Sequence, residues 1–166
     1  LGSLPGVFSP DANAATFTSF IENAVPAAKR IAAAGGYFMY HNHAAEFKMF
    51  DGKLGMDYLT EAFAPREMGF TLDTHWVKVG GYEPVEWLNK LAGRTPCVHY
   101  KDLIVKDGKN YYAPVGSGVL DFDAIIKTSI DNGVEYAFVE QDDCYGEDPY
   151  ACLKKSYEYL KSMGLN

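Results

Sequence analysis

Residues 40–47 read YHNHAAEF, directly after the apolar run GGYFM. Two histidines, an asparagine and a glutamate between His41 and Glu46 form a set able to ligate a cation or move protons. Three later stretches follow the same plan, each at the end of a short apolar run: DTHW at 73–76, HYKD at 99–102 and EQDD at 140–143. Side chains alternate along a strand, so His41 and His43 are expected to share a face, as are Asp73 and His75, His99 and Lys101, and Glu140 and Asp142. One imidazole or carboxylate from each strand end, two of each kind, is a mixed nitrogen and oxygen set that suits Mn²⁺, Zn²⁺, Co²⁺ or Fe²⁺. A pure oxygen set would suit Mg²⁺ or Ca²⁺. With 22 acidic residues and 4 histidines in 166, luck would supply such a residue at all four ends in roughly a few per cent of arrangements.

These groups need elements to carry them. Phe17, Phe20, Ile21, Ala24, Ala27, Ala28 and Ile31 recur at helical spacing over Ala15–Ala34, and Gly35 and Gly36 stop the helix. Strands are expected at Tyr37–Tyr40, Met68–Leu72, Thr95–Val98 and Tyr136–Val139. Helices are expected at Asp57–Phe63, closed by Pro65, at Pro84–Leu91 with Pro84 in the first turn, at Asp121–Asn132 before Gly133, and at Pro149–Met163 before Gly164. Strict alternation argues for parallel βαβ units. The strand ends fall near 41, 73, 99 and 140, and one unit of a closed eight-unit barrel averages about 31 residues. Four units make half a barrel. The longest interval holds VKDGKNYYAPVGSGV, whose KDGK reads as a hairpin. An open four-stranded sheet exposes two edges, so a missing N-terminal half or a homo-oligomer is expected to cover them.

The composition narrows the function. With 48% apolar and 14% aromatic residues the 166-residue chain can bury a core, and residues 1–166 are read as one domain. A net charge of −7 and the lack of any basic run disfavour nucleic acid. No apolar stretch approaches the ~18 residues of a membrane span. The opening LGSLPGVFSPDANAATF has no basic n-region, so a cytoplasmic location is the expectation. Cys97, Cys144 and Cys152 show neither a disulfide framework nor zinc-ribbon spacing.

The stretches GYFMYHNHAAEF, FTLDTHWVKVGG, CVHYKD, APVGSGVLDF and FVEQDD, in this order, resemble the xylose-isomerase-like TIM barrels, the sugar phosphate isomerase/epimerase group. The resemblance implies an α/β fold of parallel (β/α) units: the C-terminal half of a (β/α)8 TIM barrel, with about four strands and four to five helices. It implies one divalent metal ion (Mn, Zn, Co, Fe or Mg) held by His41, Asp73, His99 and Glu140. His41 stands where the family usually places a glutamate, and family epimerases use their two glutamates as proton shuttles. Glu140 keeps one of those roles, and His43 or Glu46 would supply the other. The implied chemistry is isomerisation, epimerisation or, in a lyase or dehydratase, elimination, begun by removing the proton next to the carbonyl of a sugar or keto-sugar. Lys101 would neutralise the developing oxyanion, and Trp76 would offer a platform for a sugar ring. His75 and Asp102 are further expected substrate contacts.

Structural readings of the same residues stand beside these. His41 and His43 can be core-edge histidines bonded to carbonyls, Asp73 can cap the next turn, and His99, Lys101 and Asp102 can form a salt-bridged rim. Asp142, Asp143, Glu147 and Asp148 read as a solvated acidic loop and helix start, and Tyr111 and Tyr112 as packing. The alternative functional class is a non-catalytic carbohydrate-binding or auxiliary subunit. An abasic-site endonuclease is disfavoured by the acidic charge.

Overall fold

The computed structural model describes residues 12–165; most of the loop expected before Ala15 lies outside them. The first helix, α1, runs over Ala14–Ala33 and starts where Asn13 and Thr16 cap each other reciprocally. It buries Phe17, Phe20, Ala24 and Ala28. The chain then enters β1 (Phe38–His41), turns through a short 3₁₀ segment at Ala45–Phe47, and forms a small hairpin, β2 (Met49–Phe50) and β3 (Lys53–Leu54), before α2 (Gly55–Ala62). Next come β4 (Met68–Asp73), α3 (Thr74–Val79), α4 (Pro84–Lys90) and β5 (Cys97–Tyr100). A second hairpin, β6 (Asp102–Lys106) and β7 (Lys109–Ala113), precedes α5 (Phe122–Asp131), β8 (Tyr136–Val139) and α6 (Pro149–Ser162).

The main sheet has the order β1-β4-β5-β8, parallel throughout, as the alternation predicts. One face carries Tyr40, Phe70, Leu72, Val98 and Tyr100 into a core shared with Phe20, Leu59, Phe63, Leu88, Phe122, Ile125 and Ile126 of the helices. The opposite face carries Met39 and His41, Thr71 and Asp73, Cys97 and His99, and Tyr136 and Phe138, by the strand's two-residue period. Tyr136 and Phe138 are 61% and 56% exposed. Among the described residues, β1 and β8 pair with no strand on their outer edges.

Two features depart from the sequence reading. The expected hairpin is present, with Asp107 and Gly108 both at positive φ, but a second Asp-Gly turn at Asp51 and Gly52 builds β2 and β3, strands too short to leave a periodic signal. The described residues also hold six helices rather than four or five, because α3 starts immediately at the end of β4. Asp73 caps it, accepting the Trp76 amide N–H at 3.0 Å.

Candidate metal centre

His41 closes β1, Asp73 closes β4, His99 sits in β5 and Glu140 follows β8 directly. Parallel pairing brings these four strand ends to one rim, where a ligand atom from each lies within 4.8 Å of the others. His41 Nε2 is 3.3 Å from Asp73 Oδ2, and His99 Nδ1 is 3.3 Å from Glu140 Oε2. The His41 and His99 rings are 4.5 Å apart. His99 Nδ1 is buried and, despite its nearness to Glu140, makes no aligned hydrogen bond. Four donors at ~2.0–2.2 Å around a tetrahedral ion stand roughly 3.5 Å from one another, so this donor set fits a divalent transition metal. Asp73 performs two tasks at once, since Oδ1 caps α3 while Oδ2 faces the cluster.

Lys101 lies against the same rim and is only 1% exposed. Its ammonium donates to Asp142 Oδ1 at 2.7 Å and to Glu140 Oε2 at 3.0 Å, and stands 3.7 Å from Asp73 Oδ2. It also lies over the rings of Trp76 and Tyr112, at 5.3 and 5.1 Å from their centroids. Burial opposes the charge on Lys101, but the three carboxylates outweigh it and raise the pKa. Burial likewise opposes ionisation of Glu140, yet the bonded Lys101 ammonium and the neighbouring imidazoles hold its carboxyl below the usual range. His43 and His99 are lowered chiefly by burial, and so are neutral near pH 7, the form that ligates a metal or accepts a proton.

The remaining expected site residues divide into two groups. His43 and Trp76 line the rim: the His43 ring is 4.8 Å from His41 and 5.5 Å from Trp76. Glu46, Asp102 and His75 do not line it. Glu46 is fully buried, accepting the Tyr40 hydroxyl at 2.7 Å and the His43 amide at 3.1 Å, and desolvation pushes its carboxyl up to about 7. The structure places Asp102, one of the expected substrate contacts, as the anchor of a loop. Its buried carboxylate accepts the amides of Leu103, Gly116, Gly118 and Leu120 at 2.8, 3.1, 2.8 and 3.3 Å. A Cβ on Gly118 would meet Asp102 Oδ1 at 2.3 Å, so glycine is required for that approach. His75, another expected contact, follows the end of β4 at Asp73, where the alternation rule lapses in α3, and its imidazole is buried with Nδ1 3.3 Å from the Asp102 carbonyl.

Three contributors were passed over in the sequence. Asp142, read as a solvated loop residue, is a partner of Lys101. Tyr112, read as packing, covers that ammonium from the hairpin; burial and the nearby Asp142 carboxylate raise its phenol to about 12. Asn42 is buried and ties two strand ends together, its Oδ1 accepting the Asp73 amide at 3.0 Å. An asparagine between two histidines on a strand end was the available signal for this last role.

No protein-family model matches the chain. It is 29% identical over 147 residues to an inosose dehydratase of Geobacillus kaustophilus (strain HTA426), covering 78% of this chain and 47% of that protein. It therefore spans about half the length of this curated relative. Among solved structures, a sugar phosphate isomerase/epimerase from Parabacteroides distasonis ATCC 8503 superposes with a TM-score of 0.75 at 24% identity, covering 98% of this chain and 55% of the other. A xylose isomerase domain protein from Planctomyces limnophilus gives a TM-score of 0.68 at 18% identity, covering 98% and 55%. The parallel sheet, its alternating helices and these superpositions agree with the motifs, and the chain has the fold of about half of a xylose-isomerase-like TIM barrel.

Proposed function

We propose that the chain carries the metal-holding part of a sugar-processing active site, in a divalent-metal-dependent isomerase or epimerase or a related keto-sugar lyase or dehydratase. The observation that supports this most is the convergence of His41, Asp73, His99 and Glu140 within 4.8 Å, beside a buried ammonium. Removal of a proton next to a carbonyl is common to isomerisation, epimerisation and elimination, which accommodates the names of both kinds of relative. His41, Asp73, His99 and Glu140 would hold the ion, which when bound would supply Lewis acidity toward a carbonyl oxygen.

The chain's own groups perform the rest. Glu140, its carboxyl held below the usual range by its neighbours, is the candidate proton acceptor. Neutral His43 is the candidate partner on the other side of the reacting carbon, aimed by Glu46 through its amide. The Lys101 ammonium offsets negative charge that develops on the substrate oxygen, and Trp76 presents an apolar ring to the carbon–hydrogen face of a sugar. Asp102 and His75 fix the loop and the hairpin that surround these groups.

The test is elemental mass spectrometry on chelator-free protein supplied with Mn²⁺, Co²⁺ or Zn²⁺, followed by α-proton exchange with keto-sugars in deuterated water. The reading expects a single ion per chain, lost in His41→Ala and in Glu140→Ala, and deuterium at the α-carbon. An intact chain that takes up no ion would overturn it. The second reading, an auxiliary carbohydrate-binding subunit, is favoured by the open wall at Tyr136 and Phe138; metal uptake without any α-exchange would favour that one.

A further inference from the structure

Lys101 makes contacts that a purely structural lysine would not need. Of its three carboxylate partners, Asp73 and Glu140 belong to the four-residue donor cluster and Asp142 does not. The oxygen of Glu140 that Lys101 bonds, Oε2, is the one facing His99. Three formal negative charges against one ammonium leave an excess of two, the charge of a divalent cation.

We propose that Lys101 is a resident cation that occupies the metal-ligand carboxylates while the site is empty of metal and retreats to Asp142 when a metal enters, which makes it a positioning residue for metal exchange. The proposal rests on the metal-site reading above. A dication held by Asp73 and Glu140 would face the Lys101 charge at close range, where like charges repel. The lysine stem is flexible, and Asp142, with the faces of Trp76 and Tyr112, offers a resting place that involves no ligand. Without Lys101 the empty site would hold three carboxylates in self-repulsion; with it, the site stays folded and its affinity for metal is moderated.

The experiment is a double-mutant cycle read by metal affinity, using Mn²⁺ in competition with a fluorescent chelator, on wild type, Lys101→Met, Asp142→Asn and the double variant. Lys101→Met should bind Mn²⁺ tighter by on the order of tenfold or more, and its metal-free form should melt at a lower temperature than wild type. Asp142→Asn should weaken binding, and weaken it much less in the Lys101→Met background, because the resting place matters only while the lysine is there. Simple charge addition without exchange would leave the Asp142→Asn effect equal in both backgrounds. That result, or a Lys101→Met protein that binds no tighter, would overturn the proposal. If neither wild type nor Lys101→Met binds any of Mn²⁺, Co²⁺ or Zn²⁺, the metal-site reading falls with it. Should Lys101→Met fail to fold, ¹⁵N-lysine NMR on wild type serves instead: Zn²⁺ should shift the Lys101 ammonium resonance reversibly, and an unmoved resonance refutes the exchange.

Discussion

Two long cationic side chains anchor opposite ends of the same sheet. At the strand starts, Arg94 donates to the carbonyls of Thr60, Phe63 and Met68 at 2.9, 3.0 and 3.1 Å and lies over the Phe70 ring. At the strand ends, Lys101 is surrounded by three carboxylates. Carbonyls are fixed parts of the backbone that carry no net charge, so the Arg94 set ties the end of α2 to the start of β4. Carboxylates must be desolvated and held apart from one another, which costs stability unless a cation is present. A fold needing only a clasp at the rim would be served by the Arg94 arrangement. The two ends therefore separate a floor built for stability from a rim built to hold exchangeable charge, the division seen generally between the two faces of parallel barrels.

Asp102 sharpens the contrast, since it is buried just beyond the end of β5, behind the rim, and works as a floor residue does. Asp102→Ala should leave four amides without their acceptor, two of them on the buried Leu103 and Leu120, and cost about 4 kcal/mol, the largest effect expected, measured by urea unfolding. Arg94→Ala should cost about 3 kcal/mol by leaving three carbonyls without their donor, while Mn²⁺ affinity stays within about twofold. A large change in metal affinity in that variant would break the division between floor and rim.

Glu46 gives a pH test of the layer beneath the rim. Its carboxyl is raised from 4.5 to about 7 by burial, so between those values the folded protein holds a proton that the unfolded chain has released. Stability contributed by this group therefore falls as pH rises through that window and levels off above about 7, by on the order of 3 kcal/mol. Glu46→Gln cannot ionise, and should shrink the difference in unfolding free energy between about pH 5 and pH 8; an unchanged difference would assign the pH dependence elsewhere. The smallest effect belongs to the exposed surface: Lys127→Ala, which loses its pair with Asp131 one helical turn away, should stay within about 0.5 kcal/mol in the same unfolding assay.

What could be read in advance follows from the range of the forces involved. The four parallel strands, α1, α4, α5, α6 and the Asp107-Gly108 turn are written in local periodicity, caps and turn residues, and they appear within a few residues of where the sequence puts them. The four residues that the resemblance implies as donors lie at strand ends, where alternation fixes the face used, and the structure gathers them within 4.8 Å. The same rule failed one step later. Past Asp73 it does not reach His75, because the capped start of α3 has already turned the chain. The anchoring role of Asp102 leaves no sequence signal, because its amide partners come from 1 to 18 residues downstream, in a loop whose path no periodicity dictates. Asp142 reads as a solvated acid in the sequence because its charge partner is 41 residues away. The sequence reading concerns the open edges of the sheet and not the exposed face of β8, whose aromatic rings lie beside Cys97 and His99 through the pairing of Cys97 with Tyr136 and His99 with Phe138.

All four donors come from consecutive βα units of one chain segment, and that has a consequence for how such a protein could change over time. Grafting a different partner segment against the bare Tyr136 and Phe138 wall would reshape the chamber around the reacting molecule and leave the ligand quartet where it is. Under the proposed reading, appetite for new sugars and retention of the old chemistry are then inherited separately, and a recombination breakpoint upstream of α1 would shuffle one without touching the other.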